Sequence, residues 1–366
     1  MHIAIVIDSM LIAGAEILAI RLGKGFIAAG HSVFIIALGG DGPLAALLNQ
    51  AGISHLALNS PAGISFIAMW RLFKIFRIQH YDLIISNHFR QLVHTWIPAT
   101  LVDIPHYHVE HDNNLYKTKN KYLLLLRILL IRATRLIVIS PTLETWFRVQ
   151  LPKRSELISL ISNGIDIDVF SPSLERKLDF RKENSLDKKC LIFGTCARLE
   201  PIKNISLMLR IFHHHHILNP NSCLLLLGDG SCREQLELEA QQLEITNYVF
   251  FQGLQPEVAP WLQAIDVYLV TSEDEGLPLS VLEAMACGVP VVARSVGDLP
   301  RLINESLGRL VVGQDMKEWQ KAIDQITKNQ EIYSALSYNA RKLVANKYSL
   351  TNCVAQYLNL FQNTLK

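Results

Sequence analysis

Short apolar runs alternate with helical patterns along this chain of 366 residues, and the alternation occurs twice over. No other feature restricts the fold as much. In the first half, 2–7, 32–37, 82–86, 136–139 and 157–161 read as strands, while 15–29 and 44–51 have helical periodicity, the first ended by Gly30. The pattern restarts near residue 190, with strands expected at 190–196, 223–227, 248–251, 267–270 and 289–293 and a helix at 204–218. Such alternation builds parallel sheets with helices on both faces. The expectation is an α/β chain in two similar halves, 1–170 and 171–349, facing each other across a cleft. The charged stretch 171–189 reads as the link, and a helix over 350–366 is expected to pack back towards the first half. Ligands of open α/β sheets bind beyond the carboxyl ends of the strands, so the loops there are where chemistry is sought.

Composition excludes several classes. A net charge of +2 gives no global attraction for nucleic acid. Six cysteines without short paired spacing argue against zinc and for a reducing compartment. The first ten residues lack a basic leader and are interrupted by Asp8, so they read as a strand and not a signal peptide. No apolar run reaches membrane-spanning length. These points set the expectation of a cytoplasmic protein. The segment 117–135 carries six basic and no acidic residues around a dense apolar run. It reads equally as a basic amphipathic helix on an anionic membrane surface or as a core helix with a solvated end. Trp70, Arg71, Lys74 and Arg77 form a second basic-aromatic group.

The densest chemistry lies in 271–303. Glu275 stands in a turn-rich loop, and Glu283 lies eight positions on, inside the helix that follows. The start of that helix offers free N–H groups, a ready site for phosphate. Carboxylates beside phosphate are repelled by it, so their targets are neutral hydroxyls. Phosphate and hydroxyls together describe a nucleotide sugar. In CARLEPIKN, Arg198 and Lys203 follow a strand and are placed to grip a diphosphate, the arginine through paired hydrogen bonds and the lysine as a point charge. The alternative is that both are solvated loop charges. The turn at Gly228 and Asp229 would let backbone approach a base or ribose, or is an ordinary turn. The loop expected around His111 also holds His106, His108, Glu110 and Asp112, which by composition alone is a metal candidate. His213–His216 point in four directions along a helix and read as its surface and edge. Asp166 reads as a brace for the Asn163-Gly164 turn. A GxGxxG after the first strand is lacking, which argues against a nicotinamide enzyme.

Taken together, CARLEPIKN, LLLLGDG, FFQGL and EGLPLSVLEAMACGVPVVA resemble the family-4 retaining glycosyltransferases in order and spacing. The looser matches are Ala13-Gly14-Ala15-Glu16, Glu110-His111-Asp112 and Ser162 to Asp166. The resemblance implies a GT-B fold of two Rossmann-like domains, the first binding acceptor and the second binding the nucleotide-sugar donor. It implies that Arg198 and Lys203 hold the donor diphosphate, Glu283 the ribose and Glu275 the donor sugar. Backbone at Leu277, Leu279 and Ser280 would bind sugar and phosphate oxygens, Gly14 would admit the diphosphate, and His111 would stand near the reacting sugar. Ala13, Asn204 and Pro278 depart from the family's glycines.

The reaction so implied is metal-independent transfer of a sugar, with retention, from a UDP-sugar to the hydroxyl of a glycan or lipid-linked acceptor. Bacterial envelope polysaccharide is the expected product class, made at the inner face of the cytoplasmic membrane. A sugar-nucleotide epimerase of the same architecture and a non-catalytic sugar-nucleotide binder are the alternatives.

Overall fold

The computed structural model describes residues 1–11, 14–112, 114–130 and 135–364. Ala13, positions 131–134 of the basic segment and the last two residues of the sequence lie outside them. Two compact units are present. One comprises 1–164 with 350–366, the other 165–349.

The first unit carries seven strands: β1 (His2–Ile7), β2 (Ser32–Ala37), β3 (Ser54–Ala57), β4 (Leu83–Asn87), β5 (His106–Glu110), β6 (Arg135–Val138) and β7 (Ile158–Leu160). They form one parallel sheet in the order β3-β2-β1-β4-β5-β6-β7. The second unit carries β8 (Leu191–Cys196), β9 (Ser222–Leu227), β10 (Val249–Gly253), β11 (Val267–Val270), β12 (Val291–Arg294) and β13 (Gly308–Val311), parallel in the order β10-β9-β8-β11-β12-β13. Counted from its own first strand, each sheet contains the order 3-2-1-4-5-6 of the dinucleotide fold, and the first adds a seventh strand at its edge. The chain reverses direction across the sheet between β1 and β4 and again between β8 and β11, so each unit has one switch point where loops diverge and a ligand can enter.

The central strands are apolar on both faces because helices cover both sides. Ile3, Ile5, Val6, Ile84 and Ile85 are fully buried in the first unit; Ile192, Leu224, Leu225 and Leu269 are fully buried in the second. The terminal helix Leu350–Thr364 belongs to the first unit. It can lie close because Gly25 and Gly164 have no side chain. A Cβ on Gly25 would sit 2.4 Å from Val354, and one on Gly164 would sit 2.7 Å from the Leu350 backbone. Phe361 then stacks edge-on against Tyr107 of β5 at 4.6 Å.

Three sequence expectations are corrected. The stretch 171–189 is no mere link: helix Leu174–Glu183 forms there, and its Lys177 and Arg181 both pair with Asp266, at 2.9 and 2.5 Å. Residues 106–110 are a fully buried strand, not a loop. His215 is not on the helix surface; it is buried, stacks on Phe193 and bonds Gln320. Asp166 does brace its turn, its carboxylate accepting from the N–H groups of Asp168 and Val169. Among the described residues no helix is long and apolar enough to cross a membrane.

Candidate active site

The second unit's switch point is built by the loops after β8 and β11. After β8 the chain passes Arg198, forms a short 3₁₀ turn Pro201–Lys203, and enters helix Ile205–Leu218 through Asn204. Asn204 has φ 48°, a left-handed conformation that asparagine tolerates better than most residues, and its side chain caps the helix by accepting from Leu207 N–H. The departure from glycine here is therefore structurally absorbed. Lys203 is aimed inward. Its Nζ lies 2.6 Å from Glu275 Oε1, and the Ser272 hydroxyl donates to that same oxygen at 2.6 Å. Thr271 ties its hydroxyl to the Lys203 carbonyl at 3.1 Å, fastening the β11 loop to the β8 loop. Lys203, Glu275 and Ser280 line one small cavity with Thr195, Cys196 and Tyr268.

Several groups hold this arrangement. Tyr268, fully buried, bonds Cys196 through both its carbonyl (3.2 Å) and N–H (2.9 Å), and burial pushes the phenol's pKa up. Gly297 has φ 56°, and a Cβ there would fall 1.7 Å from the Glu275 carbonyl oxygen. Asp298 N–H donates to that oxygen at 3.0 Å. Ser272, Tyr268, Gly297 and Asp298 were not singled out from sequence. Gly297-Asp298 did carry a signal, a Gly-Asp pair just after a strand.

The helix bearing Glu283, Leu279–Ala286, starts at Pro278, which offers no side-chain cap. Its first N–H groups, at Leu279 and Ser280, therefore point out of the helix start with the positive end of its dipole. Leu277 is buried beside it, and Glu283 is buried within the helix at 6% exposure.

Arg198 is not brought into the cavity with Lys203. Its side chain is exposed; the backbone carbonyl accepts from Glu200 N–H at 2.9 Å, and the guanidinium charge helps hold the Glu200 pKa down, after the bonds from Ser231. The turn at Gly228 needs glycine for a reason internal to the protein. Its φ is 126°, and a Cβ would meet the Ala197 carbonyl at 2.0 Å; one on Gly230 would meet the Leu199 carbonyl at 2.5 Å. The close approach is to the protein's own Arg198 loop, which Asp229 also holds by accepting from Leu199 N–H at 2.9 Å. The Asp229 carboxylate itself is half exposed and lies 3.7 Å from Arg233.

In the first unit, Gly14 opens helix Gly14–Ala28 and has open space where a Cβ would be. Asp8, just beyond β1, pairs with Arg90, just beyond β4, at 2.6 Å across that unit's switch point. His111 follows β5. Its Nε2 donates to Asn87 Oδ1 at 3.1 Å, and its ring lies 4.8 Å from His88, which has φ 61°. Burial, and then His88 and His108, push the His111 pKa down to about 3, so the ring is neutral at neutral pH. Asn87 is an N-cap residue that forms no cap bond, because its side chain is turned to His111.

Of the other residues of the metal candidate, Asp112 is exposed, and His106, His108 and Glu110 form a buried hydrogen-bond chain. The Ser86 hydroxyl lies 2.8 Å from His106 Nε2 and 3.0 Å from His108 Nδ1. His108 Nε2 donates to Glu110 at 2.7 Å, and the Tyr116 hydroxyl donates to the same oxygen. Among the described residues no group of three or more His, Cys, Asp or Glu is arranged to hold a metal ion.

Comparison with known proteins follows the same division. A model described as Glycosyltransferase Family 4 matches residues 12–169, and one described as Glycosyl transferases group 1 matches 176–343. The chain is 24% identical over 335 residues to the Escherichia coli UDP-Gal:alpha-D-GlcNAc-diphosphoundecaprenol alpha-1,3-galactosyltransferase, covering 88% of this chain and 86% of that one. It is 28% identical over 273 residues to a D-inositol 3-phosphate glycosyltransferase of Stackebrandtia nassauensis, covering 68% and 60%. Several other curated relatives are matched over about half of their length. The crystal structure of Anabaena Alr3699/HepE in complex with UDP and glucose superposes with a TM-score of 0.85 at 23% identity, over 99% of this chain and 100% of that one. Matched in both halves and built on two Rossmann-like sheets, the chain belongs to the family-4 glycosyltransferases of GT-B fold.

Proposed function

We propose that this glycosyltransferase moves a sugar from a UDP-sugar to an acceptor hydroxyl with retained anomeric configuration and without a metal ion. The observation that carries the reading is Lys203 held at 2.6 Å from Glu275 in the cavity that Ser280 also lines. As the glycosidic bond breaks, negative charge grows on the leaving diphosphate. A fixed ammonium and a helix start supply stabilisation aimed at that charge. Arg198, exposed on its loop, closes on the diphosphate as a second cation. Glu275 meets the donor sugar's hydroxyls and Glu283 those of the ribose, with backbone at Leu277, Leu279 and Ser280 on the remaining oxygens. The departing phosphate takes the acceptor's proton. In the first unit His111 is the candidate contact for the reacting sugar, and its low pKa makes it a neutral hydrogen-bonding group there, not an acid. Gly14 gives the diphosphate room.

UDP is supported by the E. coli relative, whose name specifies UDP-Gal, and by the Anabaena protein crystallised with UDP and glucose. The diphosphoundecaprenol in the first name supports a lipid-linked acceptor and a place in envelope polysaccharide synthesis at the inner membrane face. A thermal-shift panel of nucleotide sugars tests the donor, since a ligand that prefers the folded state raises its melting point. UDP-sugars should shift the second unit's transition, and a panel in which none does would refute the reading. Conversion of donor alone would instead establish an epimerase, and binding without turnover for any acceptor a non-catalytic binder.

A further inference from the structure

The helix Phe66–Gln79, FIAMWRLFKIFRIQ, buries only one side. Ala68, Met69, Leu72 and Phe76 face the core. At about 100° per residue, Phe66, Arg77, Trp70, Lys74, Ile67, Ile78 and Arg71 fall on an outer arc of about 140°. That arc is open: Phe66 is 78% exposed, Ile67 66%, Trp70 56% and Ile78 69%, and Ile64, just before the helix, is 63% exposed. Lys74 Nζ rests 3.6 Å from the Trp70 ring centre, and Arg71 is tied to the Leu58 carbonyl at 2.7 Å. The helix has no acidic residue.

An exposed apolar group of this size marks an interaction surface. Its chemistry selects the occupant. The apolar side chains are interleaved with three cations on a convex face, so a partner must offer apolar depth and negative charge everywhere at once. An anionic bilayer does so, with phosphates above and acyl chains beneath, and aromatic side chains settle at that boundary. We propose that this outer face docks the chain on an anionic lipid surface, with Phe66, Ile67, Trp70 and Ile78 in the headgroup–acyl boundary and Lys74 and Arg77 on lipid phosphates. Lys74 leaves the Trp70 ring for a phosphate as the ring enters the boundary.

Among its described residues, the segment 117–135 offers less apolar surface for this role. In helix Asn120–Leu129, Leu123, Leu126 and Leu129 pack into the core, which leaves only Leu124 and Ile128 as exposed large apolar side chains there. The proposal rests on the lipid-linked acceptor reading for its purpose, but its test reads binding and not turnover.

The full chain is sedimented with vesicles of phosphatidylglycerol and phosphatidylcholine, or of phosphatidylcholine alone, at low and high salt. Binding is expected to the anionic vesicles and to weaken as salt rises. Phe66→Ser with Trp70→Ser, and separately Lys74→Glu with Arg77→Glu, should each weaken it about tenfold or more with an unchanged melting point, since these side chains are exposed. Leu124→Ser with Ile128→Ser should bind as the parent does. Brominated acyl chains should quench tryptophan emission in the parent and not in Trp70→Phe. The proposal is overturned if the parent ignores anionic vesicles, if only the Leu124/Ile128 variant loses binding, or if the parent is a dimer that Phe66→Ser with Trp70→Ser splits, which would assign the face to a second copy.

Discussion

The two units share a strand order and spend their polar residues differently. In the second unit they stand in loops beyond the strands: Lys203, Ser272 and Glu275 meet at the switch point, and the strands beneath are apolar. In the first unit they enter the sheet itself. Ser86, His106, His108 and Glu110 lie on β4 and β5, all buried, and Tyr116 closes the chain of hydrogen bonds. Loop groups can be reached by substrate. Buried groups are committed to one another, since each one left unpaired costs about 1–3 kcal/mol. The second arrangement is therefore a candidate for chemistry, and the first fixes β4 and β5 in register beneath Asn87 and His111.

This contrast yields expectations of decreasing size. Gly297→Ala should be severe, because the new Cβ would overlap the Glu275 carbonyl at a φ of 56°. Strain of about 1–3 kcal/mol from the backbone conformation alone adds to the clash, and thermal unfolding should show the loss in the second unit. A melting point equal to the parent's would mean that Glu275 is not clamped there. Tyr116→Phe leaves the Glu110 oxygen short of one donor and should cost about 1–3 kcal/mol, seen as lower urea stability of the first unit. A neutral result would show that this chain of bonds is slack.

Acid comes next. The His106 pKa is pushed down to about 3, chiefly by burial, against 6.5 for the free group. The unfolded chain then binds a proton that the folded chain refuses between those values. Stability from this group is fully present above about pH 6.5 and is lost as pH falls towards 3, at about 1.4 kcal/mol per pH unit. His106→Gln should flatten the acid limb of the stability curve by that slope, and an unchanged limb would count against a buried neutral imidazole. The smallest effect concerns two helix starts. Ser140 caps its helix by accepting from Leu143 N–H, whereas Asn87 makes no cap bond. Ser140→Ala should cost about 1 kcal/mol by thermal unfolding, and Asn87→Ala less by the same measurement, its loss falling on His111 instead.

The same contrast explains what was legible in the sequence. Lys203, Glu275 and Ser280 were readable because each lies within a few residues of a strand end, and strand ends show as breaks in apolar runs. A second demand on Gly228 is not legible: its neighbour is Ala197, thirty-one positions back, and spacing does not reveal which backbone a glycine must admit. β5 was read as a loop because His106, His108 and Glu110 look solvated in sequence; only their mutual bonding lets them be buried. β3 (SHLA) and β13 (GRLV) mix polar or glycine positions with apolar ones and so show no apolar run, unlike the equally short β11 (VYLV). Helix Leu174–Glu183 was hidden by its charge, which is neutralised in part by Asp266, more than eighty positions away.

The central claim is that Lys203 stabilises the departing diphosphate. Single-turnover transfer from a UDP-sugar by Lys203→Ala measures it most directly. The account predicts a barrier higher by about 2.7–4 kcal/mol, a loss of two to three orders of magnitude in rate, with the fold intact by thermal unfolding. Turnover within a few-fold of the parent's would contradict it.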